Sequence, residues 1–269
     1  MGKLLQILDY RIVSKLMRTL AVLITLASLL PAHAQTPLRI AAAADLEPIL
    51  PPILDQFQKT TGIHAEATYQ ASAMLATQIL NGAPFDVFLS ADLTYPKRLM
   101  NVRVADANGS PAPIIYAKGA LVLWTRKDSP LGPPTLELLR NPALMRLAIA
   151  NPDRAPYGSA AVAALATLNL YATLKPRFVT AENIAQAAQF VDSGNADAGL
   201  ISLTSALTPH MAANGTPFIL PRNLYPPIDQ GAVIVSNTAQ RSAANKFLNF
   251  LLSVPIQEQL AKSGLTPVR

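Results

Sequence analysis

The sequence contains no cysteine. This absence excludes disulfide bonds, thiolate metal sites, cysteine nucleophiles and the anchoring cysteine of a lipoprotein. Histidine is also scarce, because only His64 and His210 follow the N-terminal leader, and neither has the spacing of a metal-binding motif. Both are predicted to be surface or strand-end residues. The glycine-rich motifs that hold nucleotide phosphates are missing as well, so no nucleotide cofactor is expected.

Long apolar runs are missing after the first 34 residues, and those 34 have the pattern of a secretory signal peptide. Basic residues come first, residues 19–30 are apolar, and Ala32-His33-Ala34 forms an Ala-x-Ala cleavage site. Cleavage is predicted after Ala34. The apolar run is too short to span a bilayer, so a membrane anchor is the less favoured interpretation. We expect a protein exported to the periplasm.

A strong excess of positive charge is also lacking once the leader is set aside. The leader carries four of the 22 basic residues and one of the 16 acidic ones, which leaves a net charge of about +3. The remaining Lys and Arg form no cluster longer than a pair. Nucleic-acid binding is therefore not expected.

Strand-like and helix-like segments alternate from residue 38 to the end, which predicts α/β architecture with mainly parallel sheets. Predicted strands cover residues 39–43, 64–69, 87–90, 120–124, 147–150, 198–201, 217–220 and 232–235. Predicted helices cover residues 53–60, 73–80, 95–102, 135–139, 160–168, 184–191, 241–252 and 256–263. No composition shift marks a single flexible linker, so two lobes joined by more than one crossing fit better.

Several predicted helix starts carry small or polar residues, and free N–H groups at helix starts attract anions. Ser72 precedes a helix, where its hydroxyl could cap the helix or donate to a ligand. Tyr157 and Gly158 precede another helix. Gly158 would allow a ligand to approach the backbone closely, and the Tyr157 hydroxyl could donate a hydrogen bond to the ligand or the ring could simply pack in the core. Asn183 precedes a third, in an ordinary capping arrangement.

The sequence offers no recognisable set of catalytic residues. Ser159 lies in Tyr-Gly-Ser-Ala, which lacks the second glycine of a nucleophile elbow. An exported hydrolase that uses Ser159 or Ser72 with a histidine in reach remains as the alternative from a different class. The favoured expectation is a binding protein and not an enzyme.

Five segments resemble the periplasmic molybdate-binding proteins of ABC importers, within the type II periplasmic binding-protein superfamily. They are Ala-Ala-Ala-Asp-Leu at 42–46, Gln-Ile-x-Asn-Gly-Ala-Pro-Phe-Asp-Val-Phe-Leu-Ser-Ala-Asp at 78–92, Tyr-Ala-x-Gly-x-Leu-Val-Leu-Trp at 116–124, Asn-Pro-x-x-Ala-Pro-Tyr-Gly at 151–158, and Ala-Gln-Ala-x-x-Phe-Val-x-Ser-Gly-x-Ala-Asp-x-Gly at 185–199. The resemblance covers essentially all of the chain after the leader.

The resemblance implies a two-lobe fold in which each lobe is a mixed, mainly parallel sheet flanked by helices. Lobe one is expected at residues 36–119 plus 232–269 and lobe two at residues 120–231, with crossings near 115–119 and 226–231. It implies a monomer that captures molybdate or tungstate without a cofactor and delivers it to a membrane permease. The anion would be held by neutral donors, with no free metal-ion site, at Ala44, Asp45, Ser72, Tyr157, Ile184 and Ser202.

Asp45 departs from the Ser or Asn that the family would place there. A carboxylate about 4 Å from a dianion costs several kcal/mol even at an effective dielectric near 20. We expect Asp45 to cap the following helix with its oxygens while its N–H serves the ligand. The alternative is a same-fold protein for another oxyanion, a divalent cation or a small organic acid, with Asp45 as a direct ligand. Pro51 and Pro52 predict that the helix after Asp45 starts late or is kinked.

Overall fold

The computed structural model describes residues 36–268, and the predicted signal peptide lies outside these residues. In chain order the strands are β1 (Leu38–Ala43), β2 (Ala65–Gln70), β3 (Val87–Ser90), β4 (Ala105–Asp106), β5 (Ile114–Gly119), β6 (Leu121–Arg126), β7 (Leu147–Ala150), β8 (Phe178–Ala181), β9 (Ala198–Ser202), β10 (Gly215–Ile219) and β11 (Ile228–Val235). No helix within 36–268 is long and apolar enough to cross a membrane.

The α-helices alternate with these strands. They are α1 (Leu50–Thr61), α2 (Ser72–Leu80), α3 (Thr94–Asn101), α4 (Pro156–Thr167), α5 (Tyr171–Leu174), α6 (Ile184–Asp192), α7 (Leu203–Ala206), α8 (Pro209–Asn214), α9 (Arg241–Leu251) and α10 (Val254–Lys262). Short 3-10 helices occupy Ala44–Leu46, Leu136–Arg140, Lys175–Arg177 and Arg222–Leu224.

The strands form two separate mixed sheets. In the first, the order is β2-β1-β3-β11-β4, and β5 also pairs with β11. β1 runs parallel to β2 and β3, whereas β11 runs antiparallel to β3, β4 and β5. The second sheet has the order β10-β6-β9-β7-β8, with parallel pairs only around β7. The predicted α/β class with two mixed, helix-flanked sheets is confirmed. The sheets are not mainly parallel, however, since within residues 36–268 four of the strand pairs are parallel and five are antiparallel.

The chain passes between the sheets at two places. It leaves the first sheet at Gly119, the end of β5, and enters the second at Leu121, the start of β6. It leaves the second sheet after Ile219 and re-enters the first at Ile228. Separate buried clusters pack around the two sheets, with Phe57 and Phe247 edge to face in the first and Trp124 fully buried in the second. Each sheet therefore has its own apolar core.

Three element boundaries differ from the sequence prediction in ways that matter for the site. α1 begins at Leu50, so Pro51 and Pro52 lie in its first turn. Backbone N–H groups in the first turn have no acceptor within the helix, so a proline there removes no hydrogen bond. α4 begins at Pro156 and not at residue 160, since proline suits the first helical position. β11 begins at Ile228 and not at residue 232. The sequence prediction missed its first part because Asp229, Gln230 and Gly231 interrupt the apolar pattern of a buried strand.

Candidate functional site

Three helices and one 3-10 turn begin around a single small cavity between the two sheets. α2 follows β2 and the 3-10 turn follows β1 on the first sheet, whereas α4 follows β7 and α6 follows β8 on the second. The cavity volume is about 10 Å³, room for about one water molecule. Its lining residues are Ala43, Ala44, Asp45, Gln70, Ala71, Ser72, Ala91, Ala155, Pro156, Tyr157, Asn183 and Ile184. None of these residues is a lysine or an arginine.

Ser72 is the first residue of α2 and does not cap it. The capping position belongs to Ala71, and no side chain caps this helix. The Ser72 hydroxyl oxygen instead accepts a hydrogen bond from the Ala91 N–H at 3.1 Å, and the side chain is buried. Because the hydroxyl accepts there, its own proton is free to point toward the cavity. The capping interpretation of Ser72 is wrong.

Tyr157 occupies the second position of α4, where a helical N–H has no intrahelical acceptor. Its phenol is not available to a ligand, because the hydroxyl donates to Asp45 Oδ2 at 3.1 Å. Gly119 makes room for this contact, since a Cβ there would lie 2.3 Å from the phenol oxygen. The backbone N–H of Tyr157 is therefore the group that this residue can offer to the cavity.

Gly158 has a structural role that differs from the predicted one. The sequence indicated a close approach between Gly158 and a ligand, but Gly158 does not line the cavity. A Cβ on Gly158 would lie 2.3 Å from the carbonyl oxygen of Ala150, the last residue of β7. The missing side chain therefore allows α4 to begin directly against the end of the strand.

Ile184 is the first residue of α6, and Asn183 caps that helix by accepting from the Gln186 N–H at 2.9 Å. The cap leaves the N–H of Ile184 without an intrahelical acceptor. Ala44, the first residue of the 3-10 turn, also lines the cavity. The structure therefore brings together five of the six predicted binding residues, which are Ala44, Asp45, Ser72, Tyr157 and Ile184.

Ser202 is the predicted binding residue that the structure places elsewhere. It does not line the cavity, and it caps α7 by accepting from the Ser205 N–H at 3.3 Å. The Ser202 and Thr204 hydroxyl oxygens also lie 2.9 Å apart, within hydrogen-bond distance. Thr204 itself bonds to the carbonyl oxygen of Asp45 at 2.7 Å. Ser202 thus contacts Thr204, which holds the backbone of Asp45, and does not itself line the cavity.

Asp45 adopts an arrangement different from the predicted helix cap. Ala43 occupies the capping position of the 3-10 turn, and no side chain caps it. The fully buried carboxylate instead accepts hydrogen bonds at Oδ2 from the Tyr157 hydroxyl and from Gln230 Nε2. Burial raises the pKa of Asp45 to about 7, and these hydrogen bonds oppose the rise. The side-chain donors to Asp45 thus come from α4 and β11, and its own backbone N–H is a further donor that opposes the rise in pKa.

Gln230 and Thr204 are the polar partners that sequence reasoning missed. Gln230 lies in β11 and is fully buried, next to the register shift that separates it from Gly231. Thr204 lies in α7 and is buried as well. Neither residue belongs to a motif, and only the polar pair Asp229-Gln230 in an otherwise apolar strand could have drawn attention to Gln230.

A hydrolytic arrangement is not assembled at either serine. The Ser159 hydroxyl donates to the Pro152 carbonyl oxygen at 2.7 Å. His64 contacts Gln58 and Glu66, and His210 contacts Asp192, on exposed surfaces. Within residues 36–268 no group of three or more histidine or acidic side chains is placed to hold a metal ion.

Two helix-flanked β-sheets enclose a cavity between them, and the N-terminal residues of three helices line it. This arrangement is typical of a solute-binding protein. The family model described as bacterial extracellular solute-binding protein matches residues 38–266, and the chain belongs to this family. Proteins of this family bind and carry a solute, so the chain is not an enzyme and requires no cofactor.

Similar proteins carry molybdate-binding names. The molybdate-binding protein ModA of Azotobacter vinelandii is 37% identical over 84% of this chain and 88% of its own length. The Rhodobacter capsulatus protein of the same name is 36% identical over 77% of this chain and 79% of its own length. The solved structure of the periplasmic molybdate-binding protein of A. vinelandii superposes with a TM-score of 0.79 at 31% identity, covering 86% of this chain and all of the other.

Proposed function

We propose that this chain is a periplasmic solute-binding protein that captures molybdate, and tungstate alongside it, and delivers the anion to the permease of an ABC importer. The observation that carries the proposal is the cavity itself. Ser72, Tyr157 and Ile184, which lie at the starts of three helices, line the cavity, and no cationic side chain does. Helix N-termini attract anions through their free N–H groups and the helix dipole.

The binding residues proposed are Ala44, Asp45, Ser72, Tyr157 and Ile184. The Ser72 hydroxyl would donate a hydrogen bond to the anion from the side of the first sheet. The backbone N–H groups of Tyr157 and Ile184 would donate hydrogen bonds from the side of the second sheet. A hydrogen bond to a charged partner is worth about 1.5–3 kcal/mol. Several such bonds in a site closed to water are sufficient for tight binding without a lysine or arginine.

The proposed lobes follow the two sheets, at residues 36–119 plus 232–269 and 120–231, although β11 already pairs with the first sheet from Ile228. Several hydrogen bonds join the two sides of the cleft. The Ala73 N–H donates to the Arg154 carbonyl at 3.1 Å, and the Tyr95 hydroxyl donates to the Asp153 carbonyl at 3.3 Å. A ligand that contacts both lobes would favour such a closed arrangement over an open one.

The small cavity volume implies movement during binding. A space that admits about one water cannot accept a tetrahedral anion without adjustment of its lining. We propose that the lobes separate about the two crossings, admit the anion and close around it. Selection against sulfate, which has the same charge and shape but shorter bonds, would then depend on cavity size.

The remaining parts of the proposal concern location and partners. The name of the similar A. vinelandii structure, a periplasmic protein, and the sequence pattern of the first 34 residues support export to the periplasm. The permease is inferred from the role of binding proteins in ABC importers. The modest net charge of the exported chain supports the proposed lack of affinity for nucleic acid, and a monomer is the proposed oligomeric state.

The decisive experiment is a calorimetric and thermal-shift panel with molybdate, tungstate, sulfate, phosphate and divalent cations. A ligand that binds only the folded protein raises its melting temperature by mass action. We expect large shifts with molybdate and tungstate and little change with the others. Preferential binding of a divalent cation would establish Asp45 as a direct ligand of a different solute and would overturn the proposal.

A further inference from the structure

The Asp45–Gln230 pair leaves two buried oxygen atoms without a hydrogen-bond partner. Both side-chain donors that reach Asp45, the Tyr157 hydroxyl and Gln230 Nε2, bind Oδ2. Asp45 Oδ1 and Gln230 Oε1 have no partner among the residues that the structure describes. Buried polar atoms are nearly always paired, so this pair is short of donor hydrogens.

The buried groups that face Asp45 are all uncharged. α4 presents the Tyr157 phenol and β5 the Tyr116 phenol, and burial raises the pKa of each well above its usual value, so both keep their protons. β11 contributes Gln230 and α7 contributes Thr204. On the remaining sides are Gln70 of β2 and the buried Ile184 of α6, together with an exposed carboxylate two positions along the chain, Glu47.

No cation therefore compensates the charge of Asp45, and the proposed anion would add two negative charges to the same cavity. Among the residues that line the cavity, Asp45 has the only titratable carboxyl group. The repulsion between carboxylate and dianion is relieved when the carboxylate takes up one proton from solvent. The same proton supplies the donor that the pair lacks.

We propose that Asp45 is protonated in the anion-bound protein and that its Oδ1–H donates a hydrogen bond to the bound oxyanion. This inference rests on the proposed function. One proton passes from solvent to Oδ1 as the anion enters and returns to solvent as the anion leaves. A neutral Asp45 selects an unprotonated anion, whereas a charged Asp45 would accept a hydrogen bond and select an anion that carries its own proton.

The pKa of the Asp45 carboxyl group is consistent with its protonation on anion binding. Burial raises the pKa of Asp45 to about 7 without the anion, and a dianion nearby would raise it further. Below pH 7 the group already holds its proton, so affinity should not change with pH. Above pH 7 the proton must be taken up on binding, and affinity should fall by up to tenfold per pH unit.

The test is isothermal calorimetry of the full exported chain with sodium molybdate at pH 6 and pH 8. Titrations at each pH use two buffers of different ionisation enthalpy, because the difference in heat measures the protons taken up. We expect close to one proton per anion at pH 8, much less at pH 6, and weaker binding at pH 8. Asp45→Asn should abolish the proton uptake and the pH dependence, since its amide donates without titrating.

Asp92→Asn is the matched control. Burial also raises the pKa of Asp92, but this residue does not line the cavity. Proton uptake by this variant should equal that of the parent protein. The parent measurement alone tests the inference if either variant fails to fold.

Three outcomes separate the possible failures. Molybdate binding without proton uptake at pH 8 would overturn the role of Asp45 and leave the proposed function intact. Absence of molybdate binding at both pH values would overturn the proposed function itself. Preference for phosphate, which carries a proton near neutral pH, would show that Asp45 is charged in the complex.

Discussion

Tyr157 and Asp45 lie 112 positions apart in the chain and are joined by a hydrogen bond of 3.1 Å from the phenol to the carboxylate. Both side chains are fully buried. Tyr157 belongs to the start of α4 beside the second sheet, and Asp45 follows β1 of the first. The bond therefore connects the two sides of the cavity through groups that have no access to water.

Replacing Tyr157 by Phe removes the phenol and leaves the rest of the ring in place. Asp45 Oδ2 then keeps only Gln230 as a donor, in a buried site where loss of a partner costs about 1–3 kcal/mol. We expect the free energy of unfolding in urea to fall by about this amount. Tyr95→Phe is the control, because its hydroxyl reaches Asp153 at 3.3 Å on a more exposed surface and should contribute less. Equal losses in both variants would contradict a special role for the buried bond.

Ser72→Ala tests the side-chain donor at the cavity. Loss of a hydroxyl that binds a charged ligand should weaken molybdate affinity by roughly tenfold or more, as measured by calorimetry. The unliganded protein should melt within a few degrees of the parent, since only the Ala91 N–H loses its acceptor. Ser159→Ala, which removes a hydroxyl bound to the Pro152 carbonyl, should leave affinity unchanged. A large stability loss with unaltered affinity would mark Ser72 as purely structural.

Asp45→Asn should change the pH dependence of stability in the unliganded protein. The folded-state pKa of Asp45 is raised from 3.8 to about 7, so the folded state binds the proton more tightly than the unfolded chain does. Stability from this group is fully present below pH 4 and is lost as the pH rises to about 7, by an amount on the order of 4 kcal/mol. Asn does not titrate, so the variant should gain stability relative to the parent over this interval.

Urea unfolding of parent and Asp45→Asn at pH 5 and pH 8 measures this difference. We expect a larger advantage of the variant at pH 8 than at pH 5. The same advantage at both pH values would show that the parent carboxyl group does not change its charge between them.

The sequence predicted the elements that have strong local signals. Buried strands such as β3 and β7 have short apolar runs, and Gly62 ends α1 in the left-handed conformation that favours glycine. The start of α6 was predicted correctly, because Asn183 caps it within four residues of chain. Signals of this kind depend on neighbours in sequence and can be detected without the fold.

The polar contacts of the site had no such local signal. Ser72 looked like a helix cap, but its hydroxyl is satisfied by Ala91, nineteen positions away. Asp45 was expected to cap the following helix, and its side-chain partners are instead Tyr157 and Gln230. Each of these bonds joins elements whose proximity depends on how the strands are ordered in the two sheets.

The sequence by itself determined the α/β class, the alternation of elements, the family and the helix starts from which anion donors project. Tertiary structure decided which of those groups meet, that Ser202 supports the cavity without lining it, and that the carboxylate of Asp45 lies against Tyr157 and Gln230. The physical reason is that propensity, capping and periodicity act over a few residues. The hydrogen bonds of a buried site, by contrast, are chosen among all groups that packing brings within about 3 Å.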